Sequence, residues 1–190
     1  LREDQPHGAR IWNYLLGGKD NYPVDRAVGE AMREQWPDLA DSALKARQFL
    51  IRSVRFLAAE AGIRQFLDIG TGTGRILEMF GTQLDRGLGV DLSLDMLLLA
   101  RARIERAGLR HCSVRQGDIY DLAVPANSFE VVVIHQVLHF LEDGARAIRE
   151  AARVLAPSGR LLVIDELGYL PLPGDGASAL FQVINQRYLK

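Results

Sequence analysis

The stretch that decides the fold is Asp68-Ile69-Gly70-Thr71-Gly72-Thr73-Gly74, which continues the apolar run begun at Gln65-Phe66-Leu67. A short β-rich run stopped by glycines, with a helical pattern from about Arg75, reads as a strand–turn–helix junction. Glycines there let the backbone approach a ligand closely, and the helix start offers N–H groups without intrahelical partners. Three ligand classes use such a turn, and spacing separates them. A dinucleotide fingerprint needs GxGxxG, but the position of its last glycine is Arg75. A P-loop needs a lysine after the glycines, and the next downstream lysine is Lys190. What remains is an acid followed by three alternating glycines.

Outward from this turn the chain alternates. GLGVD (87–91) and CSVR (112–115) read as a second and a weaker third strand, and FEVVVI (129–134) as a fourth. The fourth is apolar throughout, as suits a strand covered on both faces. RLLVID (160–165) is the fifth. Helices are expected at 75–84, 94–107, 142–155 and 177–189. The second presents Leu94, Leu97, Leu98, Ile104 and Ala107 as one apolar face, and the third Ala145, Ile148, Ala152 and Leu155. Strands separated by helices predict right-handed crossovers and an α/β fold on a parallel sheet. Ahead of it lies a helical lead-in. Val28, Met32 and Trp36 recur at helical spacing; after Pro37-Asp38 a longer helix carries Leu44, Phe49, Val54, Leu57 and Ala61 and ends at Gly62. The expected divisions are a helical cap or lid at 1–64, the ligand-binding core at 65–166, and a loop and helix at 167–190.

Composition restricts partners. The 190 residues carry 23 basic and 24 acidic side chains, a balance that gives no electrostatic reason to expect nucleic acid or an anionic membrane. No apolar run is long enough to span a bilayer. The start, LREDQPHG, lacks the apolar core of a signal peptide and has no initiator Met. The lone Cys112 excludes an internal disulfide and fits a cytoplasmic setting. Asp165-Glu166 alone do not make a metal site, so none is expected.

The (D/E)xGxGxG pattern of Asp68 to Gly74 resembles the first motif of class I S-adenosylmethionine-dependent methyltransferases. The resemblance implies a Rossmann-like sheet of strand order 3-2-1-4-5 with helices on both faces, and S-adenosylmethionine as cofactor. It implies that Asp68, Gly70, Thr71, Gly72 and Gly74 form the cofactor turn and that Asp91 accepts hydrogen bonds from the ribose hydroxyls. Leu92 and Met96 would then contact the adenine face, Asp118 and Ile119 its amino group and ring, and His135 and Gln136 would lie beside the cofactor's amino-acid end.

Local resemblances differ along the chain. Residues 9–70, with YLLGGKDN and AGIRQFLDIGTG, look like the N-terminal part of a bacterial S-adenosyl methyltransferase family, in which that segment folds over the cofactor. Tyr14, Gly17, Gly18, Lys19, Asp20 and Asn21 stand at its positions, and Tyr14 and Lys19 are candidate cofactor contacts. Residues 68–166, with GVDLSLDML, RQGDIYDL and HQVLHFLEDGARAIREAARVLAPSGRLLVID, resemble methyltransferase modules fused to ArsR-type regulators. The tail from LLVIDE onward resembles IstB-like helper ATPases, in which Asp165 would help hold Mg²⁺ and Glu166 would activate water; the phosphate-binding lysine that chemistry requires is missing from the turn. A recombined or designed sequence would explain such a composite.

The expected reaction is methyl transfer to a small-molecule acceptor, with His135 and His139 the candidate general bases. A binding module that retains the cofactor without catalysis is the alternative, and an ATPase or a nicotinamide dehydrogenase is disfavoured. This class usually continues to an antiparallel hairpin of strands six and seven, and only 25 residues follow Asp165. Both strands are therefore expected to be missing. The open edge of strand five predicts a homodimer, a covering by the tail, or poor solubility.

Overall fold

Gln65–Ile69 forms β1, with β2 (Arg86–Asp91) parallel to it on one side and β4 (Phe129–His135) parallel on the other. The computed structural model describes residues 3–59, 62–165 and 182–185. With β3 (Cys112–Gln116), β5 (Leu155–Ile164) and β6 (Gln182–Asn185) the sheet order is β3-β2-β1-β4-β5-β6. The first five strands are mutually parallel in the order 3-2-1-4-5, the Rossmann-like arrangement that the resemblance implies.

Register explains why this order is stable. Leu67 lies opposite Leu88 and Val132, and Val132 opposite Leu161; Ile69 lies opposite Val90 and Ile134, and Ile134 opposite Val163. In-register residues of parallel strands share a face, so these eight side chains form two apolar rows across four strands. All belong to one buried cluster that Ala151 and Val154 join. Each Leu, Ile or Val buried this way contributes about 1.5–3 kcal/mol.

Between the strands run α4 (Arg75–Phe80), α5 (Leu94–Arg106) and α6 (Gly144–Val154). Ser93 caps α5 by accepting from the Met96 N–H, and Asp143 caps α6 by accepting from the Arg146 N–H. The helix expected at 75–84 is α4 followed by a 3-10 turn, Gly81–Gln83. The apolar face expected on α5 is out of phase. Leu94 and Leu98 are exposed, while Met96, Leu97, Ala100, Arg103 and Ile104 are buried. β5 begins five residues earlier than expected, because the register slips between Phe129 and Val131 and the extra length is taken up there.

The tail requires a correction. In place of the closing helix at 177–189, residues 182–185 form β6, antiparallel to β5 with Arg160 opposite Asn185 and Val163 opposite Gln182. A sixth strand is thus present. The row of backbone groups on the edge of β5 needs partners, and pairing it outweighs the local helical pattern. The homodimer expected through an open β5 edge loses its basis, since the tail occupies that edge. The expected loop at 167–181 and residue Glu166 lie outside the described residues.

Two compact units divide the chain, Leu1–Ser53 and Val54–Lys190. The sheet belongs to the second. The first holds α1 (Gly8–Leu15), α2 (Pro23–Gln35) and the start of α3 (Leu39–Ala59). Its organising contact is buried: Asp25 accepts from Arg10 Nε at 2.7 Å, from the Tyr22 N–H at 2.8 Å and from the His7 N–H at 2.9 Å. Burial alone would raise the Asp25 pKa, but these hydrogen bonds outweigh it and hold the carboxyl below its usual range. The GGKDN segment is fastened by Asn13, whose Oδ1 accepts from the Asp20 N–H at 2.9 Å and from Asn21 Nδ2 at 3.0 Å.

Candidate functional site

The site is built on a change of direction. The chain leaves β1 through α4 toward β2 on one side, and β4 later enters on the other, which opens a crevice at the carboxyl ends of β1 and β4. The turn after β1 shapes one wall. Gly70, Gly72 and Gly74 have φ of +72°, +52° and +73°, the left-handed region that residues with a Cβ rarely adopt. At Gly70 a Cβ would come within 2.3 Å of Val137 Cγ2, and at Gly74 within 2.9 Å of Ala100 Cβ. At Gly70 and Gly74 the turn therefore packs on the segment after β4 and on α5 with no room for a side chain.

Hydrogen bonds fix the turn from below. The Gly70 and Thr71 N–H groups donate to Val90 O at 2.8 and 3.0 Å, and the Gly72 N–H donates to Asp91 Oδ2 at 2.8 Å. Asp91, half-buried at the end of β2, also accepts from the Ser93 N–H through Oδ1 at 2.9 Å. Thr71 Oγ1 donates to Asp68 Oδ2 at 2.7 Å. Gly89 on β2 makes room for this pair, since a Cβ there would meet Thr71 Oγ1 at 2.7 Å. Asp68 is fully buried, and its Oδ1 has no hydrogen-bond partner among the described residues. Desolvation, opposed by the Thr71 hydroxyl and reinforced by the nearby Asp91 charge, pushes its pKa up to about 7.

The other candidates of the second unit follow β2, β3 and β4 or end β4, and two more belong to the first unit. Leu92 is 71% exposed, whereas Met96 is fully buried, so of this pair Leu92 presents the apolar surface. Asp118 is exposed after β3, its Oδ1 accepting from the Tyr120 N–H at 2.8 Å in a tight turn closed by a bridge to Asp121. Ile119 packs on the core cluster. His135 ends β4, and Gln136 follows with φ +57° and a buried side-chain amide. Tyr14 and Lys19 belong to the first unit, where the Tyr14 hydroxyl donates to Glu30 Oε1 and Lys19 is exposed.

One side-chain pairing lies beyond what local sequence indicates. His139 sits in the 3-10 turn Leu138–Phe140, with its Nδ1 2.5 Å from Asp165 Oδ1. Asp165 Oδ2 accepts from the Val137 and Leu138 N–H groups at 3.0 and 2.6 Å. A carboxylate can only accept, so Nδ1 carries the proton and Nε2 is the basic atom of the neutral ring. The signal in the sequence is only that Asp165 follows an apolar strand, where site residues of such sheets cluster.

Comparison with known proteins agrees with this geometry. A family model described as methyltransferase domain matches residues 67–163, and a second, described as S-adenosyl methyltransferase, matches residues 1–75. The chain belongs to the methyltransferase domain family. The two matches of this methyltransferase-domain chain overlap on the glycine turn, the point at which the local resemblance changes. A candidate methyltransferase of Thermobifida fusca YX superposes with a TM-score of 0.74 at 32% identity, over 89% of this chain and 69% of that one. The ubiquinone/menaquinone biosynthesis C-methyltransferase UbiE of Bdellovibrio bacteriovorus is 33% identical over 72% of this chain and 57% of its own length. The uncharacterized methyltransferase YcgJ of Bacillus subtilis is 32% identical over 52% of this chain and 39% of its own. The chain thus spans about two fifths to three fifths of these two curated relatives. Among the described residues no helix is long and apolar enough to cross a membrane.

Proposed function

We propose that this domain binds S-adenosylmethionine across the carboxyl ends of β2, β1 and β4 and transfers its methyl group to a small-molecule acceptor. The observation that carries the reading is the pairing of a left-handed glycine turn with Asp91, whose carboxylate faces the same crevice from the next strand. The donor set fits this cofactor. Each Asp91 oxygen uses one lone pair on a backbone N–H and keeps another for a ribose hydroxyl. Exposed Leu92 offers apolar surface to a flat base, with Asp118 and Ile119 following β3, the strand paired to β2. Gly70, Thr71, Gly72 and Gly74 line the path toward His135 and Gln136.

When bound, the cofactor supplies a methyl group on a sulfonium, open to in-line displacement. The chain contributes position and the exclusion of water. Asp91 fixes the ribose and the glycine turn sets the reach across β1. His139, oriented by Asp165, takes the proton of an acceptor that carries one, its Nε2 being the basic atom; His135 is the second candidate. Asp165 spends its carboxylate on two backbone N–H groups and His139, which argues against its serving as a Mg²⁺ ligand for ATP. The near balance of charge favours a small acceptor over nucleic acid. Buried, unpaired Cys112 suits a reducing, cytoplasmic setting.

Calorimetry with S-adenosylmethionine, S-adenosylhomocysteine, ATP and NAD tests the reading. Binding of the first two alone is the expected result, and failure of both to bind overturns it. Binding without transfer to any of a panel of acceptors would favour the non-catalytic module.

A further inference from the structure

His139 and Phe140 stand side by side on the 3-10 turn that follows β4. Asp165 fixes the backbone of that turn, its Oδ2 accepting from the Val137 and Leu138 N–H groups at 3.0 and 2.6 Å. Val137 and Leu138 pack on the core cluster, and Val137 also lies against Gly70. The turn is therefore held on three sides where β1 and β4 end. The same carboxylate holds the His139 ring through Nδ1, which leaves Nε2 as the basic atom. This separates the two candidate bases. His135 Nε2 is buried. The His139 side chain is 13% exposed, and its Nε2 makes no hydrogen bond to another described residue.

Phe140 restricts what the group at Nε2 is attached to. Its side chain is 64% exposed, and its ring centroid lies 3.9 Å from that of His139, the planes tilted by 47°. An atom hydrogen-bonded to Nε2 therefore lies within about 8 Å of the Phe140 centroid. Aromatic rings pair at centroid separations of about 4.5–7 Å, so a ring carried by that atom comes within reach of Phe140. Acidity narrows the atom. Imidazole in general is a base of moderate strength, with a pKa of about 6.5, and the phenol of tyrosine lies near it at about 10. A proton held as tightly as that of water, at about 15.7, is far out of its range. A neutral amine attacks through a lone pair it already has and needs no base first. A hydroxyl on an aromatic ring meets both demands: a proton for Nε2 and a flat apolar face for Phe140.

We propose that His139 and Phe140 form the acceptor subsite for a phenol, its hydroxyl donating to His139 Nε2 and its ring lying against Phe140. This rests on the methyl-transfer reading given above. In the transfer step the phenolic oxygen attacks the sulfonium methyl carbon. The O–C bond forms as the C–S bond breaks, and the C–S electron pair stays on sulfur as a neutral thioether. The hydroxyl proton passes to Nε2, and the Asp165 carboxylate stabilises the imidazolium until water takes the proton. Asp165 is a positioning residue, which fixes the turn, the ring and its tautomer without touching the acceptor.

The test starts from binding, on the full chain saturated with S-adenosylhomocysteine. Calorimetry compares phenol with cyclohexanol, which has a hydroxyl on a ring of the same size but neither the flat face nor the acidic proton. Phenol should bind about tenfold more tightly. Phe140→Ala, a truncation at an exposed position, should weaken phenol about three- to tenfold and leave cyclohexanol unchanged. 4-Nitrophenol reports the proton. In a buffer that keeps the free compound un-ionised, its visible absorbance should become that of the phenolate on binding to the unaltered chain, and not with His139→Gln. With S-adenosylmethionine the product should be the aryl methyl ether, and His139→Gln should slow phenol by about 100-fold or more and the more acidic 4-nitrophenol less. Equal binding of phenol and cyclohexanol, un-ionised nitrophenol on the unaltered chain, or a methyl group on a ring carbon overturns the proposal while leaving the cofactor reading intact. Failure of the unaltered chain to bind S-adenosylhomocysteine overturns both. If His139→Gln does not fold, Phe140→Ala and the nitrophenol spectrum of the unaltered chain decide the matter.

Discussion

The Gly72 N–H donates to Asp91 Oδ2 across 2.8 Å, tying the glycine turn of β1 to the end of β2. The other Asp91 oxygen holds the Ser93 N–H, the residue that caps α5. One carboxylate thus sets the turn, the helix start and the proposed ribose contact together. Replacing Asp91 by Ala should cost about 1–2 kcal/mol of stability, because two backbone donors lose their acceptor. It should also weaken S-adenosylhomocysteine binding about 10–100-fold, the effect of two lost charge-assisted hydrogen bonds. Urea unfolding and calorimetry on one preparation read both. Unchanged affinity would remove Asp91 from the site.

Gly70 and Val137 are the tightest contact of the crevice, with 2.3 Å between Val137 Cγ2 and the position of a Cβ on Gly70. Gly70→Ala therefore suffers twice: a positive φ costs a residue with a Cβ about 1–3 kcal/mol, and overpacking about as much again. Gly108 supplies the control, since it has φ +70° but nothing within 4 Å of its missing Cβ. Gly70→Ala should be the more destabilising of the two substitutions by at least about 1 kcal/mol in urea unfolding. Val137→Ala should recover part of that difference in a double-mutant cycle, and additivity of the two changes would exclude the contact.

The sheet and the turn were legible because their signals are local. Apolar runs ending in polar residues mark β1, β2 and β4, and three glycines after an acid mark the crevice. What escaped depends on contacts distant in sequence. His139 and Asp165 are separated by 26 residues and meet only because β4 and β5 pair. The tail reads as a helix in isolation, and only the open edge of β5 makes it a strand. On α5 the leucines suggested one face, yet Arg103 is buried on the opposite one with its NH1 3.3 Å from Glu78. Hydrophobic periodicity cannot register a charged side chain buried by such a pair.

Asp68 gives the domain a pH dependence of definite sign. Its folded pKa of about 7 lies above the ordinary 3.8, so between these values the folded chain binds more protons than the unfolded one. Stability from this group is full at acid pH, falls as pH rises through the window, and is lost above about 7. The full shift corresponds to roughly 4 kcal/mol. Urea midpoints measured from pH 4.5 to 8 should decline for the unaltered chain relative to Asp68→Asn, in which this titration is absent. Parallel profiles would show that Asp68 is ionised throughout.

Asp25 has the opposite sign, and it belongs to the first unit. Its folded pKa is depressed by Arg10 and by the Tyr22 and His7 N–H groups, so its contribution is present above the ordinary carboxylate pKa and is lost as pH falls through the folded value. Both side chains of the Arg10–Asp25 pair are buried. Removing Asp25 takes this carboxylate from buried Arg10, and breaking a buried pair from one side typically costs about 3–5 kcal/mol. Asp25→Ala should therefore unfold α1 and α2 while leaving the sheet intact, because none of the bonds that hold β1 to β5 involves Asp25. Hydrogen exchange should show protection lost across Gly8–Leu15 and Pro23–Gln35 and retained in Phe66–Ile69 and Val131–Ile134. Replacing both residues, Arg10→Met with Asp25→Leu, removes the stranded charge and should restore much of that protection. Loss of protection in β1 and β4 with Asp25→Ala alone would show that the two units unfold as one.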